Sequence, residues 1–225
     1  MLEKLTLVEG GIHRYGNIPD GSSYDTKARL YEFLVSTTWY NKLAWGTSPC
    51  DYARFAKQAV EKAEGKIIDV GCGGLTHTAR FYSSFKQDLI LVDNSKEMLQ
   101  IARKRMLKNT GIHRSNVSYV LADLFNLPFR ESFDTLLSFG MLHLFDNKEH
   151  YLDCIFKTLK PGGKFFISAL TTDRKFSRKY IAFLQKNKEI GIGMSSSAIV
   201  AMVNRFASQL DAYTVGSMVF LHGKK

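Results

Sequence analysis

Lys66-Ile67-Ile68-Asp69-Val70-Gly71-Cys72-Gly73-Gly74 carries a short apolar run, broken only by Asp69, straight into a cluster of glycines. The spacing predicts a buried strand over 66–70, a tight loop, and a helix over 76–85. Glycines at such a junction let the chain turn sharply and let a ligand approach both the main chain and a helix N-terminus. Taken alone the pattern is common to many nucleotide sites, and a tight turn without a ligand reads the same way.

Downstream, the same alternation repeats. Strands are expected over 89–92, 117–121, 135–138 and 164–170. Ser95 caps a helix over 96–108 with Glu97 in its first turn, and a second helix spans 148–159. Pro161-Gly162-Gly163 reads as a sharp turn. Strands alternating with helices predict a mostly parallel sheet covered on both faces. After residue 171 the rhythm changes to helices over 174–188 and 195–208. A hairpin follows, over 212–215 and 218–222 about Gly216-Ser217, with its final strand antiparallel at the sheet edge. Upstream, residues 10–23 read as irregular and 25–44 as one or two short helices. Ser48-Pro49 starts a helix that runs to 64, where Gly65 ends it.

Composition narrows the class. At 45% apolar and 23% charged residues in 225, the chain is an ordinary globular domain rather than a disordered or fibrous one. No window holds the roughly 18 consecutive apolar residues of a membrane span, and the first residues lack the apolar run of a signal peptide. Cys50, Cys72 and Cys154 are too far apart for a disulfide framework or a zinc knuckle, so no metal is expected and the location reads as cytoplasmic. The unusual number is the charge: 31 lysines and arginines against 21 acids give +10. Part sits at Arg103, Lys104, Arg105, Lys108 and Arg114, and part at Arg174, Lys175, Arg178, Lys179, Lys186 and Lys188. These residues read either as the solvated faces of two helices or as a surface for an acidic partner.

Two further acids follow strands. Asp93 lies about 20 residues beyond the glycines, where an acid accepts hydrogen bonds from ribose hydroxyls, and it also reads as a cap for the next helix. Asp123 ends the following strand, within reach of an exocyclic amine. Loops after successive parallel strands meet at the C-terminal edge of the sheet, where open α/β folds bind ligands.

In order, Asp69-x-Gly71-x-Gly73, Asp93-x-Ser95-x-x-Met98-Leu99-x-x-Ala102-Arg103, Ala122-Asp123 and Leu159-Lys160-Pro161-Gly162-Gly163 resemble the motifs of class I S-adenosylmethionine-dependent methyltransferases. The likeness is to the small-molecule "type 11" or UbiE-like group, over roughly residues 65–170. It implies a Rossmann-like three-layer α/β sandwich with a mostly parallel seven-stranded sheet, an antiparallel last strand and N-terminal helices. It also implies one domain over 1–225: an N-terminal helical cap segment 1–64, a cofactor-binding core 65–170, a substrate-side insertion 171–209 and a C-terminal hairpin 210–225.

The resemblance assigns roles. Gly71, Cys72, Gly73 and Gly74 would pass under the methionine part of S-adenosylmethionine, and Asp69 would orient its amino group. Asp93 would hold the ribose, Asn94 and Met98 would flank the adenine, Asp123 would meet its amine, and Ala122 and Leu124 would bracket the ring. Ser138 and Phe139 would line the methionine side. The fullest family pattern has a third glycine where this chain has Leu75, with Gly74 expected to supply the room.

The acceptor side is less legible. After the fourth strand stands Ser138-Phe139-Gly140-Met141-Leu142-His143-Leu144, without the Asn/Asp-Pro-Pro-aromatic motif of methyltransferases that act on nucleic-acid bases. His143 is a candidate general base and equally a packed histidine. Tyr24 and Tyr40 are candidate acceptor contacts, and Gly191, Gly193 and residues 195–197 read as a mobile lid. The expected reaction is in-line methyl transfer to a small or lipid-like molecule, leaving S-adenosylhomocysteine. An RNA or protein methyltransferase, a non-catalytic cofactor-binding protein and a dehydrogenase are the alternatives.

Overall fold

A computed structural model of the chain describes residues 6–8, 10–16, 48–187 and 189–225. The helices expected over 25–44, with Tyr24 and Tyr40, lie outside the described residues. Within the stretch expected to be irregular, Gly10 and Gly11 turn through φ +79° and +72° and Ile12–Arg14 forms β2, hairpinned with β1 (Thr6–Val8). These strands are only three residues each, too short for the alternation that marks a strand in sequence.

Helix α1 (Pro49–Lys62) starts as expected: Asp51 Oδ2 accepts the Ser48 N–H at 2.8 Å, and proline fills the first turn. Then come β3 (Ile67–Val70), α2 (Ala79–Tyr82), β4 (Leu89–Asp93), α3 (Lys96–Thr110), β5 (Val117–Leu121) and β6 (Phe133–Phe139). Helix α2 is only four residues, because the chain from Thr76 to Thr78 is still turning out of the glycine loop. A 3-10 turn at Leu142–Leu144 precedes α4 (Lys148–Phe156) and β7 (Leu159–Leu170). The chain ends with α5 (Lys175–Lys186), α6 (Ser196–Asn204), β8 (Gln209–Val215) and β9 (Met218–Lys224).

The strands make one sheet in the order β1-β2-β5-β4-β3-β6-β7-β9-β8. Strands β2 to β7 run parallel, and the seven expected strands, β3 to β9, are all present. The β1–β2 hairpin extends them to nine among the described residues. The final strand is not at the edge: β9 inserts antiparallel between β7 and β8, paired on both sides. Pro161-Gly162-Gly163 is likewise not a turn between elements. It forms a bulge within β7, where Phe133 pairs with Leu159 and Thr135 already pairs with Lys164. Gly162 holds φ +74° there, and its N–H donates to the Lys225 carbonyl at 3.1 Å.

Every residue of β3 and β4 is buried, as a parallel strand with helices on both faces must be. Alternate residues divide between two cores. Ile67, Leu89, Leu91 and Phe166 face Phe55 of α1, Tyr82 of α2, Leu99 and Met106 of α3, and Ile181 of α5. Ile68, Val92, Leu136 and Ile167 face Leu152 and Ile155 of α4 and Ile199 of α6. Parallel strands β3, β4, β5, β6 and β7 therefore deliver their C-terminal loops to one edge. No helix among the described residues is long and apolar enough to cross a membrane.

Candidate functional site

The loop after β3 is bent into shape by its own main chain. Gly71 and Gly73 hold φ +75° and +53°, and the N–H groups of Gly71 and Cys72 both donate to the Val92 carbonyl, at 2.9 and 3.0 Å. A Cβ on Gly71 would meet the Met141 side chain at 2.4 Å, so glycine there serves packing as well as the turn. Among the described residues, a Cβ on Gly73 would meet nothing within 4 Å, so they leave space beside the loop there. The third left-handed residue is Leu75, at φ +60°, and not Gly74. The backbone thus adopts the conformation the missing glycine would favour, at a cost of roughly 1–2 kcal/mol offset by a buried leucine side chain.

Asp93, at the end of β4, ties this loop to the next helix. Its Oδ2 accepts the Gly73 N–H at 2.8 Å and its Oδ1 the Ser95 N–H at 2.9 Å. Ser95 in turn caps α3 by accepting the Met98 N–H at 3.2 Å. A carboxylate offers about four lone-pair sites, so both oxygens can also take donors from a ligand. On α3, Arg105 hydrogen-bonds the Gly74 carbonyl and reaches Thr76 Oγ1 at 3.4 Å, clamping the far side of the loop.

Asp69 is the most constrained acid. Only 2% exposed, it accepts the Tyr82 hydroxyl on Oδ2 at 2.8 Å, while its Oδ1 has no partner among the described residues. Burial pushes its pKa up to about 7, against the lowering effect of the Tyr82 hydrogen bond and with a further push from Asp93. A buried carboxylate oxygen left bare is costly, and a donor or cation arriving from the open loop would relieve it. Cys72 is half-buried beside both acids; burial first, and then their charges, raise its thiol well above its ordinary range.

The remaining expected residues gather along the same edge. Asp123 is exposed at the end of β5, its Oδ1 accepting the Phe125 N–H at 3.0 Å, between buried Ala122 and Leu124. Met98 is buried and Asn94 exposed in the turn after β4. Ser138 turns into the second core, where its hydroxyl meets the Tyr151 hydroxyl at 2.9 Å, and Phe139 packs edge-on against Phe55.

His143 sits in the loop beyond β6, buried, and its Nδ1 accepts the Leu170 N–H at 3.3 Å. Burial, aided by Lys148, lowers its pKa to about 3. Residues 189–194 are pinned rather than lid-like. Gly191 donates to the His143 carbonyl at 3.0 Å, Ile192 donates to Asp146 Oδ1 at 3.0 Å, and Lys148 Nζ holds the Ile192 carbonyl at 2.6 Å. The glycines serve close approach: a Cβ on Gly191 would meet the Phe145 backbone at 2.3 Å.

Sequence reading missed Tyr82, Tyr151, Met141 and Arg105. Only Arg105 left a trace, as a cation seven residues after Met98 on the apolar stripe of α3. It and Arg114, which bonds the Ser83 and Phe85 carbonyls, are structural ties rather than parts of a solvated basic face.

Residues 61–212 match the methyltransferase domain family. The chain is 31% identical over 171 residues to the ubiquinone/menaquinone biosynthesis C-methyltransferase UbiE of Wigglesworthia glossinidia brevipalpis; that match covers 74% of this chain and 60% of that protein. Among solved structures, a SAM-dependent methyltransferase of Thermotoga maritima, described as a possible histamine N-methyltransferase, superposes with a TM-score of 0.62 at 21% identity, over 90% of this chain and 98% of that one. A Haemonchus contortus phosphoethanolamine N-methyltransferase, in complex with phosphomonomethylethanolamine and S-adenosylhomocysteine, gives 0.62 at 20% identity, over 84% and 43%.

Proposed function

Because the chain belongs to the methyltransferase domain family, we propose that it moves the methyl group of S-adenosylmethionine to a quinone-like or other lipid-like small molecule. The observation that carries the reading is the pair of buried acids, Asp69 and Asp93, flanking a glycine loop that, among the described residues, is open at Gly73 and leaves one Asp69 oxygen bare. The acceptor class rests on the likeness to the UbiE protein, of which this chain spans 60%.

When bound, S-adenosylmethionine supplies a sulfonium methyl open to in-line displacement by an electron-rich atom. The protein's residues hold and orient. Asp93 takes the ribose hydroxyls, Asp69 Oδ1 the amino group, and Asp123 the adenine amine between Ala122, Leu124, Met98 and Asn94. Gly71, Cys72, Gly73 and Gly74 run beneath the methionine portion, with the main chain of Ser138 and Phe139 beside it, since their side chains are packed against Tyr151 and Phe55. Positioning and exclusion of water supply the rate, because orientation alone is worth several kcal/mol. His143 is not assigned a proton-transfer role: its Nδ1 is engaged and its basicity is low. Tyr24 and Tyr40 stay on the acceptor side of the proposal. A cytoplasmic setting agrees with three free thiols, Cys50, Cys72 and Cys154.

The test is calorimetric titration with S-adenosylhomocysteine, followed by transfer of labelled methyl to a panel of lipid-soluble phenols and quinols. Micromolar binding that weakens about a thousandfold in Asp93→Ala is expected, as for the loss of two charge-assisted hydrogen bonds. Absence of binding in the native protein overturns the cofactor assignment. Binding with label passing only to RNA or protein overturns the acceptor class.

A further inference from the structure

Helix α5 leaves the C-terminal end of β7, the edge at which the glycine loop also opens. Ile181 and Leu184 are buried against the sheet, so the opposite face looks outward. That face carries Lys175, Arg178, Lys179 and Lys186, with Arg174 just before the helix, and no acid occurs from 174 to 186. None of the five has a carboxylate at ion-pair distance among the described residues. Asp173, the nearest acid in sequence, is turned to the Ser196 N–H at 3.2 Å. Several surface cations elsewhere do pair: Lys57 with Glu61 at 3.6 Å, Lys160 with Asp134 at 2.7 Å, Arg205 with Glu149 at 2.7 Å. In the first basic cluster, Arg105 and Arg114 are spent on backbone carbonyls. On the α5 face, Arg178 also donates to the Thr172 carbonyl at 3.2 Å, while Arg174, Lys175, Lys179 and Lys186 stand exposed.

Apolar side chains are exposed on α5 and in a neighbouring loop. Phe183, in the middle of the outward face beside Ala182, is 56% exposed. Ile192, in the loop that packs Gly193 against Ile181, is 60% exposed. Exposed phenylalanine and isoleucine near cations that no carboxylate neutralises suit a lipid interface, where the cations meet headgroups and the apolar groups reach the acyl boundary.

We infer that the outward face of α5, with Ile192, docks the protein onto an anionic lipid bilayer. The docking needs neither cofactor nor acceptor, so it goes beyond the reaction proposed above. It would also bring the open sheet edge to where a lipid-soluble acceptor resides.

Co-sedimentation of the full chain with vesicles tests it, using phosphatidylcholine alone and with about one-third phosphatidylglycerol. Binding should require phosphatidylglycerol and vanish as salt rises to about 0.5 M. The triple variant Lys175→Gln, Lys179→Gln, Lys186→Gln should lower partitioning at least ~20-fold, since each interfacial cation contributes roughly fivefold. Phe183→Ser should lower it about threefold to tenfold with the salt dependence unchanged. Both variants should keep the native melting temperature and S-adenosylhomocysteine affinity, which separates this outcome from failure of the cofactor site. Equal binding to both vesicle types, or a triple variant that binds like the native chain, overturns the inference. So does a short RNA that binds more tightly than the vesicles and displaces them.

Discussion

The two halves of the sheet's C-terminal edge use polar groups in opposite ways. Around β3, β4 and β5, the acids point into the loops: Asp69 keeps an oxygen bare, and Asp93 spans from Gly73 to Ser95. Around β6 and β7, groups that look reactive are consumed internally. His143 takes the Leu170 N–H, Ser138 meets Tyr151, and Lys148 holds the carbonyls of Phe145 and Ile192, each at 2.6 Å. A polar side chain at a functional edge is therefore informative only once its partners are counted. The first half is built to receive a ligand, and the second is built to hold its own chain.

Gly71→Ala strikes the first half hardest. The substitution combines a left-handed backbone at φ +75° with a Cβ 2.4 Å from Met141, and should cost about 3 kcal/mol of stability. Chemical denaturation reads it. A loss below ~1 kcal/mol would mean that Met141 moves freely and that the loop is looser than its geometry.

A pH series sharpens the contrast next. Because burial raises the Asp69 pKa to about 7, ionising it opposes folding. Its contribution to stability is fully present below the ordinary carboxylate range and is lost as pH rises to about 7. Asp69→Asn should then stabilise the ligand-free protein by about 2 kcal/mol at pH 8 and scarcely at all at pH 4. Affinity for S-adenosylhomocysteine should run the other way in the native protein, tightening from pH 6 to 8 as the carboxylate forms. Flat stability in both proteins would show that Asp69 is already neutralised by something else.

The smallest effect is expected in the second half. His143→Gln should leave kcat within about threefold and the pH–rate profile unmoved, whereas loss of a general base costs about a hundredfold or more. A hundredfold fall with a vanished acidic limb would make the two halves alike and restore the histidine as a base.

The cofactor half was legible in sequence because its requirements are local. A strand, a left-handed turn and a following acid lie within a few residues of one another, so glycines and acids mark them directly. Leu75 shows the limit: its backbone does what a glycine would, but the letter conceals it. Tyr82, Tyr151 and Arg105 were not legible because they reach partners 13, 13 and 31 residues away in sequence. Gly191 and Gly193 misled for the complementary reason. Read as part of a mobile lid, they are places where two chain segments nearly touch. The β1–β2 hairpin escaped because three-residue strands carry no period.

The segment from Glu189 to Met194 crosses the sheet edge from one apolar layer to the other. Ile190 packs with the core that holds α3, and Met194 with the core that holds α4. Stapled midway to His143 and Asp146, it couples two cores that the sheet otherwise keeps apart. The two helical layers should then exchange their most protected amides as a single cooperative unit, so that neither opens to solvent ahead of the other.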